Sequence, residues 1–223
     1  MTTARTLCLR VTARRHGMLG LASVGVILVG MLATAASYRG YAGEAYSPLS
    51  HFVSELGEVA ASRLAWLFNL CLVVGGMGLG AFLLLLTGRL AGRYRTALTV
   101  VGLLAGASGT LVGVFPMGYH LTHRIVSDAF FLTGWLVAAT FSLWLWTAPG
   151  AGFPRWLLVP GLVVVSIFMT SIAVYSTYQP VDADARILNR PDVWTVPMFE
   201  WASLLSLLAW FICVSAVLAR KQT

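Results

Sequence analysis

Charge is what this sequence has least of. Asp, Glu, Lys and Arg make up 10% of its 223 residues, where a soluble domain carries roughly 25%. A surface this poor in charge excludes a water-soluble globule. Lysine occurs once, at Lys221 beside the C-terminus, which excludes a retinal-type bundle that needs a lysine within it. No histidine lies at mid-span, and a transmembrane haem protein would need axial histidines there. The three cysteines, Cys8, Cys71 and Cys213, contain no CxxC pair, and two sit inside apolar segments. That excludes a disulfide framework or a zinc ribbon. Strict apolar–polar alternation is also missing, and with it the signature of a membrane β-barrel.

What the chain has is apolar length. Hydrophobic residues are 58% of the total, and the mean hydropathy is +0.82. Six apolar runs stand out, at about 17–37, 64–86, 97–118, 125–147, 156–177 and 197–219. Each is long enough to cross a bilayer as a helix, and in lipid only helices or closed barrels satisfy their own backbone. The fold class expected is therefore all-α: a polytopic membrane protein built as a six-transmembrane-helix bundle. Residues 1–16 read as a basic tail, 17–219 as the transmembrane domain and 220–223 as a second tail. The first run exceeds the roughly 7–15-residue core of a signal peptide, so it is read as a retained helix. Gly75-Gly76-Met77-Gly78-Leu79-Gly80 has no preceding strand and no lysine. It is read as a close helix-packing face rather than a nucleotide loop.

Charge placement predicts orientation. One set of helix ends carries Arg5, Arg10, Arg14, Arg15, Arg89, Arg93, Arg95, Arg155, Arg220 and Lys221; the other carries Arg39, Arg63, Arg124, Arg186 and Arg190. The first set is expected in the cytoplasm together with both termini, in a plasma-membrane protein. Basic residues at helix ends control topology, so the net charge of +7 implies no nucleic-acid partner; the partner is the lipid bilayer. All eight acids and three of the four histidines fall on or just inside the opposite rim, where any chemistry is expected.

Two segments of that rim concentrate functional groups. In Ser47-Pro48-Leu49-Ser50-His51-Phe52-Val53-Ser54-Glu55-Leu56-Gly57-Glu58, Ser47 is a candidate N-cap and Pro48 the first helical residue. Helical spacing then gathers His51, Ser54, Glu55 and Glu58 into a polar stripe, opposed by Leu49, Phe52, Val53 and Leu56. The expectation is a short amphipathic helix in the first outer loop. Its stripe either faces water, with the apolar side on the bilayer, or turns inward to line a pocket. The second segment, Phe115 to Asp128, ends a helix at Pro116 and Gly118 and places His120, His123 and Ser127 on one face of the next. Asp128 and Glu200 lie just inside apolar runs, where an ionisable group is expensive unless partnered. Both are expected to face the bundle interior.

Convergence of these groups would make a ligand-binding site of Ser50, His51, Ser54, Glu55, His120, His123, Asp128 and Glu200. If it is catalytic, His51, Glu55, His123 and Asp128 are the candidate acids and bases. A zinc site would draw on His51, His120, His123 and Asp128. A buried polar network that only fixes helix register is the simpler alternative. The 179–196 loop, with Pro180, Asp182, Asp184 and Pro191, either caps such a pocket or merely connects helices.

The run from Ser47 to Gly57 resembles the signature loop of the domain of unknown function 998 family of prokaryotic membrane proteins. The likeness continues through Asn69, Gly75-Gly76, Gly113-Val114-Phe115-Pro116 and His120 or His123, and spans about 17–217. The Phe-Pro…His element is more loosely similar to the Frag1/DRAM group. The resemblance implies a six-helix membrane fold with a motif-bearing outer face, but no activity. The functional expectation is a protein that binds, and in one version modifies, a lipid-linked or amphiphilic ligand at the outer leaflet. The alternatives are a structural or partner-binding membrane protein, and a metal-dependent hydrolase or transporter.

Overall fold

The computed structural model describes residues 2–148, 152–177 and 190–220, and the side chains of residues 12–148, 152–176 and 190–220. Its helices are α1 (Thr2–Ser37), α2 (Ala65–Thr87), α3 (Gly92–Val114), α4 (His120–Thr147), α5 (Leu158–Thr177) and α6 (Thr195–Arg220). Six of the described segments, one per helix, are long and apolar enough to cross a membrane. The 1–16 segment read as a tail differs: from Thr2 onward it continues α1 as helix. The third helix starts at Gly92 and stops at Val114, because Pro116 bars the preceding residue from continuing the helix.

Successive helices pack side by side, and α6 returns to α1, so the bundle closes into a ring in chain order. α5 sits at its edge, wedged between α4 and α6. Only 22% of its apolar window is buried, against 50% for α6, so most of α5 faces lipid. At the basic end the ring is filled by aromatic side chains. Phe82, Phe141 and Trp210 are fully buried, and Phe141 packs edge-on against Trp210 at 5.6 Å and Phe153 at 5.3 Å. Phe82 meets Phe211 at 6.1 Å.

At the α2–α3 seam glycines bring backbones together. A Cβ on Gly106 would lie 2.6 Å from the Cα of Gly80, and one on Gly76 would lie 2.7 Å from the Thr110 nitrogen. The glycine-rich stretch is thus a packing face, and the two helices approach as small residues in membranes allow.

A Gly106→Ala substitution must therefore push two backbones apart, at a cost of about 1–3 kcal/mol. Its thermal midpoint in detergent should fall. Gly25→Ala, whose Cβ would meet open space, should leave it unchanged or slightly raised; equal midpoints would contradict this packing.

Candidate functional site

The loop between α1 and α2 is built differently from a simple amphipathic helix. His51 N–H donates to the Ser47 carbonyl at 2.9 Å, giving one turn, but the chain then extends at Phe52. It resumes as a five-residue 3-10 helix, Val53–Gly57. The expected helix from Ser47 to Glu58 is corrected to this shorter element. The reason lies in local hydrogen bonds. The Glu55 carboxylate reaches back to the Phe52 N–H at 2.8 Å, and the Ser47 N–H donates to His51 Nδ1 at 3.3 Å, so side chains take the bonds that a continuous helix would form. His51, Val53, Glu55, Leu56 and Glu58 are all buried; the turn is covered on both faces, and its polar side does not lie on water.

Two sites share this turn. The first is a buried clamp. Glu55 is completely buried and receives both arms of the Arg190 guanidinium, Nη1 to Oε1 at 3.1 Å and Nη2 to Oε2 at 2.9 Å. Tyr38 donates its hydroxyl to Glu55 Oε2 at 3.1 Å, and Arg190 also donates to the Ser50 carbonyl at 3.2 Å. Glu44 stands 3.6 Å from Arg190 and 3.7 Å from His51 Nε2. Tyr38, Tyr46 and His51 pack as a ring trio with centroids 5.0–5.3 Å apart. Trp201 donates to both the Tyr46 hydroxyl (3.1 Å) and the His51 carbonyl (3.2 Å). Trp194 N–H donates to the Leu49 carbonyl at 2.7 Å, and its ring packs on Phe52 at 5.1 Å. The segment leading into α6 thus fastens the first loop at several points.

Burial sets the electrostatics of this clamp. Desolvation pushes the Tyr38 and Tyr46 hydroxyls above the ordinary phenol range, helped by Glu55 at Tyr38 and by Glu200 at Tyr46. Burial would lower the Arg190 guanidinium, but its bonds to Glu55 outweigh that and hold it higher. For Glu44, burial pulls upward, yet backbone N–H donors, Ala42 among them, and Arg190 bring the carboxyl below its usual range. His51 is held below the ordinary imidazole range chiefly by burial and then by Arg190, against the opposing pull of Glu55 and Glu44. It is therefore neutral near pH 7. Its Nδ1 lies near the Ser47 N–H at 3.3 Å, the Ser47 carbonyl at 3.2 Å and the Ser50 hydroxyl at 3.1 Å, while Nε2 faces Glu44 at 3.7 Å.

The second site is a cleft of about 920 Å³, counting its mouth, in the middle of the ring. Its polar groups are Ser54, Asn69, His123, Ser127 and Glu200, all at the end covered by the 53–57 turn. Below them the walls are apolar, with Leu79, Leu83, Leu204, Leu208 and Phe211, and small where Gly76, Ala105, Gly106, Gly109 and Gly134 line it. Along α2 the lining runs from Phe68 to Leu83, a depth of roughly 22 Å at helical rise. Adjacent residues of the turn face the two sites: Ser54 lines the cleft, Glu55 enters the clamp.

Three of the polar groups in the cleft are held by backbone. Glu200 Oε2 accepts the Val53 N–H at 3.2 Å. Asn69 donates to the Gly57 carbonyl at 3.0 Å. His123 Nδ1 lies 2.8 Å from the Phe115 carbonyl, an acceptor only, which fixes the proton on Nδ1 and leaves Nε2 as a base, 3.3 Å from the Ser127 hydroxyl.

The expected single cluster is thus divided. Ser54, His123 and Glu200 line the cleft. Ser50, His51 and Glu55 belong to the clamp, Ser50 through its hydroxyl 3.1 Å from His51 Nδ1. His120 and Asp128 are exposed and line neither site; for Asp128 this reverses the expected inward orientation. The helical phase of α4 explains both, since His123 and Ser127 take the inward face and their neighbours turn away. Among the described residues no three His, Cys, Asp or Glu side chains gather as metal ligands, and the set His51, His120, His123 and Asp128 is not assembled. Pro180, Asp182, Asp184 and Arg186 lie outside the described residues, as does most of the loop expected as a cap.

Arg190, Tyr38, Tyr46, Glu44 and Trp201 were not singled out as site residues from sequence. One signal was present: Arg190 is an arginine on the rim where basic residues are scarce, beside acids that need a counter-charge.

These features define a class, a six-span helical membrane protein with a clamped loop over a central cleft. Within that class the chain belongs to the family described as Protein of unknown function (DUF998), whose sequence profile matches residues 21–217. No curated protein and no solved structure matches it significantly.

The Arg190–Glu55 pair should couple strongly. Arg190→Met leaves a buried carboxylate uncompensated and should cost about 3–5 kcal/mol, while Arg190→Met combined with Glu55→Gln should recover part of that loss. Additive losses in a thermal-unfolding cycle would mean that the pair does not act as a unit. His51 gives a pH test. Unfolded chain takes up the imidazole proton near its ordinary value of 6.5, whereas the folded loop takes it up lower. Stability is therefore full above about 6.5 and declines as pH falls through that range. His51→Gln should show a smaller drop in thermal midpoint between pH 7 and pH 5 than the parent chain.

Proposed function

We propose that this protein binds a single-chain amphiphile, its hydrocarbon tail in the central cleft and its head among Ser54, Asn69, His123, Ser127 and Glu200. The observation that carries this reading is the segregation within the cleft: hydrogen-bonding groups at one end, apolar walls below. Water gains little in an apolar cavity, whereas a hydrocarbon chain restores the dispersion contacts that an empty wall lacks. The count of ten basic residues on one rim against five on the other favours placing the mouth at the outer leaflet of the plasma membrane, with both termini in the cytoplasm.

The clamp of Ser50, His51 and Glu55 has the simpler role of holding the turn that roofs the cleft. Ser50 bonds His51, and Glu55 is bonded by Arg190 and Tyr38. Transport is disfavoured by the aromatic packing of Phe141, Phe153 and Trp210 at the basic end, which gives no polar path onward. His123 Nε2 offers a base to whatever the head group presents.

The test is photolabelling in phosphatidylcholine nanodiscs with a long-chain monoacylglycerol carrying a mid-chain diazirine. Crosslinks should map to Leu79, Leu204 and Leu208. Ala105→Phe, which fills the cleft, should lower that labelling at least tenfold while a thermal-stability control confirms folding. Label found only on lipid-facing residues such as Leu32 and Leu162, both exposed, would overturn the proposal.

A further inference from the structure

The charge of the cleft's polar end selects among amphiphiles. Among the described residues no lysine or arginine lines the cleft. Of the described cations on this rim, Arg39, Arg63 and Arg124 are exposed, and Arg190 is committed to Glu55 and the Ser50 carbonyl. Glu200 does line it, and among the described residues no cationic side chain comes within ion-pair distance of its carboxylate. One of its oxygens accepts the Val53 N–H.

The neighbours are biased the same way. His123 has its proton turned away to the Phe115 carbonyl, so the nitrogen toward Ser127 is an acceptor. The Asn69 amide nitrogen is engaged by the Gly57 carbonyl. A phosphate or carboxylate head would meet a carboxylate with no cation to offset it, in a low-dielectric surrounding where like charges repel strongly. A head that donates hydrogen bonds finds acceptors, and a positively charged one supplies the counter-charge that an acid at this depth requires.

Resting on the cleft reading above, we infer that the ligand is a long-chain amphiphile with a primary amine or ammonium head, and that Glu200 is its counter-ion. No bond is made or broken in this recognition. Ser54 and Ser127 bracket the head with hydroxyls that can accept or donate, and the hydrocarbon chain extends toward Phe211.

The experiment is competition against the photolabelled monoacylglycerol in zwitterionic nanodiscs, using four compounds with the same saturated chain: a primary amine, an alcohol, a fatty acid and an alkyl phosphate. The amine should displace the probe at a concentration at least tenfold below the alcohol, and the acid and phosphate should be weaker than the alcohol. Glu200→Gln should bring the amine to the level of the alcohol measured in the same variant, with a cooperative thermal transition in nanodiscs showing that the variant is folded. An acid or phosphate as effective as the amine, or an unchanged order in Glu200→Gln, would overturn the head-group assignment while leaving the cleft reading intact. Failure of all four compounds to displace the probe would overturn both.

Discussion

A carboxylate placed where water cannot reach it governs this structure. Glu55 is completely buried, and an isolated charge in such a position would cost several kcal/mol. The chain meets that cost with a bidentate guanidinium, a tyrosine hydroxyl and a backbone N–H, all between 2.8 and 3.1 Å. These donors come from three separate parts of the sequence: the residue after α1, the loop itself, and the segment before α6. Satisfying one acid therefore fixes three parts of the chain relative to one another. The position of the Val53–Gly57 turn, and with it the roof of the cleft, follows from that requirement.

Clamp and cleft divide the polar residues by what surrounds them. In the clamp the Glu55 carboxylate is taken up by Arg190, Tyr38 and the Phe52 N–H. In the cleft, Glu200, Asn69 and His123 are anchored by backbone, and His123 keeps an acceptor nitrogen toward Ser127. Structural networks are closed, whereas binding groups are pre-organised and left partly open. The Val53–Gly57 turn carries both kinds, because consecutive residues of a tight helix point in different directions. Ser54 and Glu55, one peptide apart, illustrate the division.

The sequence was most legible where a single physical rule acts alone. Apolar length located six helices, all but the start of α1 to within about five residues, because lipid leaves the backbone no other solution. Proline and glycine explained the break between α3 and α4. The glycine face of α2 was readable because spacing and apolar context agreed. The first loop was less legible: periodicity placed His51, Ser54 and Glu55 on one stripe, but periodicity assumes a regular helix, and side chains here bond the backbone instead. Asp128 was misplaced for a related reason. Depth within an apolar run says that an acid needs a partner, not which way it turns, and a shift of one residue on α4 separates the buried His123 and half-buried Ser127 from exposed Asp128. Arg190 was hidden because its partner lies 135 residues away in the chain, and no local pattern reports such a distance. The residues that carried the family resemblance, from the Ser47–Gly57 run through Asn69 and Pro116 to His123, surround the mouth of the cleft once folded.

Why the centre of the ring is hollow follows from the same balance of sizes. Close approach of α2 and α3 requires glycine at Gly76 and Gly106, and those glycines, with Ala105, Gly109 and Gly134, set small residues among the larger Leu and Phe side chains that line the cleft. Toward the basic end Phe82, Phe141 and Trp210 fill the ring completely. A hydrophobic bundle in lipid gains no hydrophobic driving force from helix contact alone and depends on packing, so an unfilled centre forfeits dispersion energy in proportion to its walls. Filling it with another aromatic side chain would have been the simple remedy, and the sequence has one at that depth on the opposite end. The cleft is instead left open beneath a fixed polar roof, with an acid at its rim that no cationic side chain among the described residues neutralises. An occupant that is apolar along its length and positive at one end answers both deficits at once, whereas a buried water could answer only the polar one.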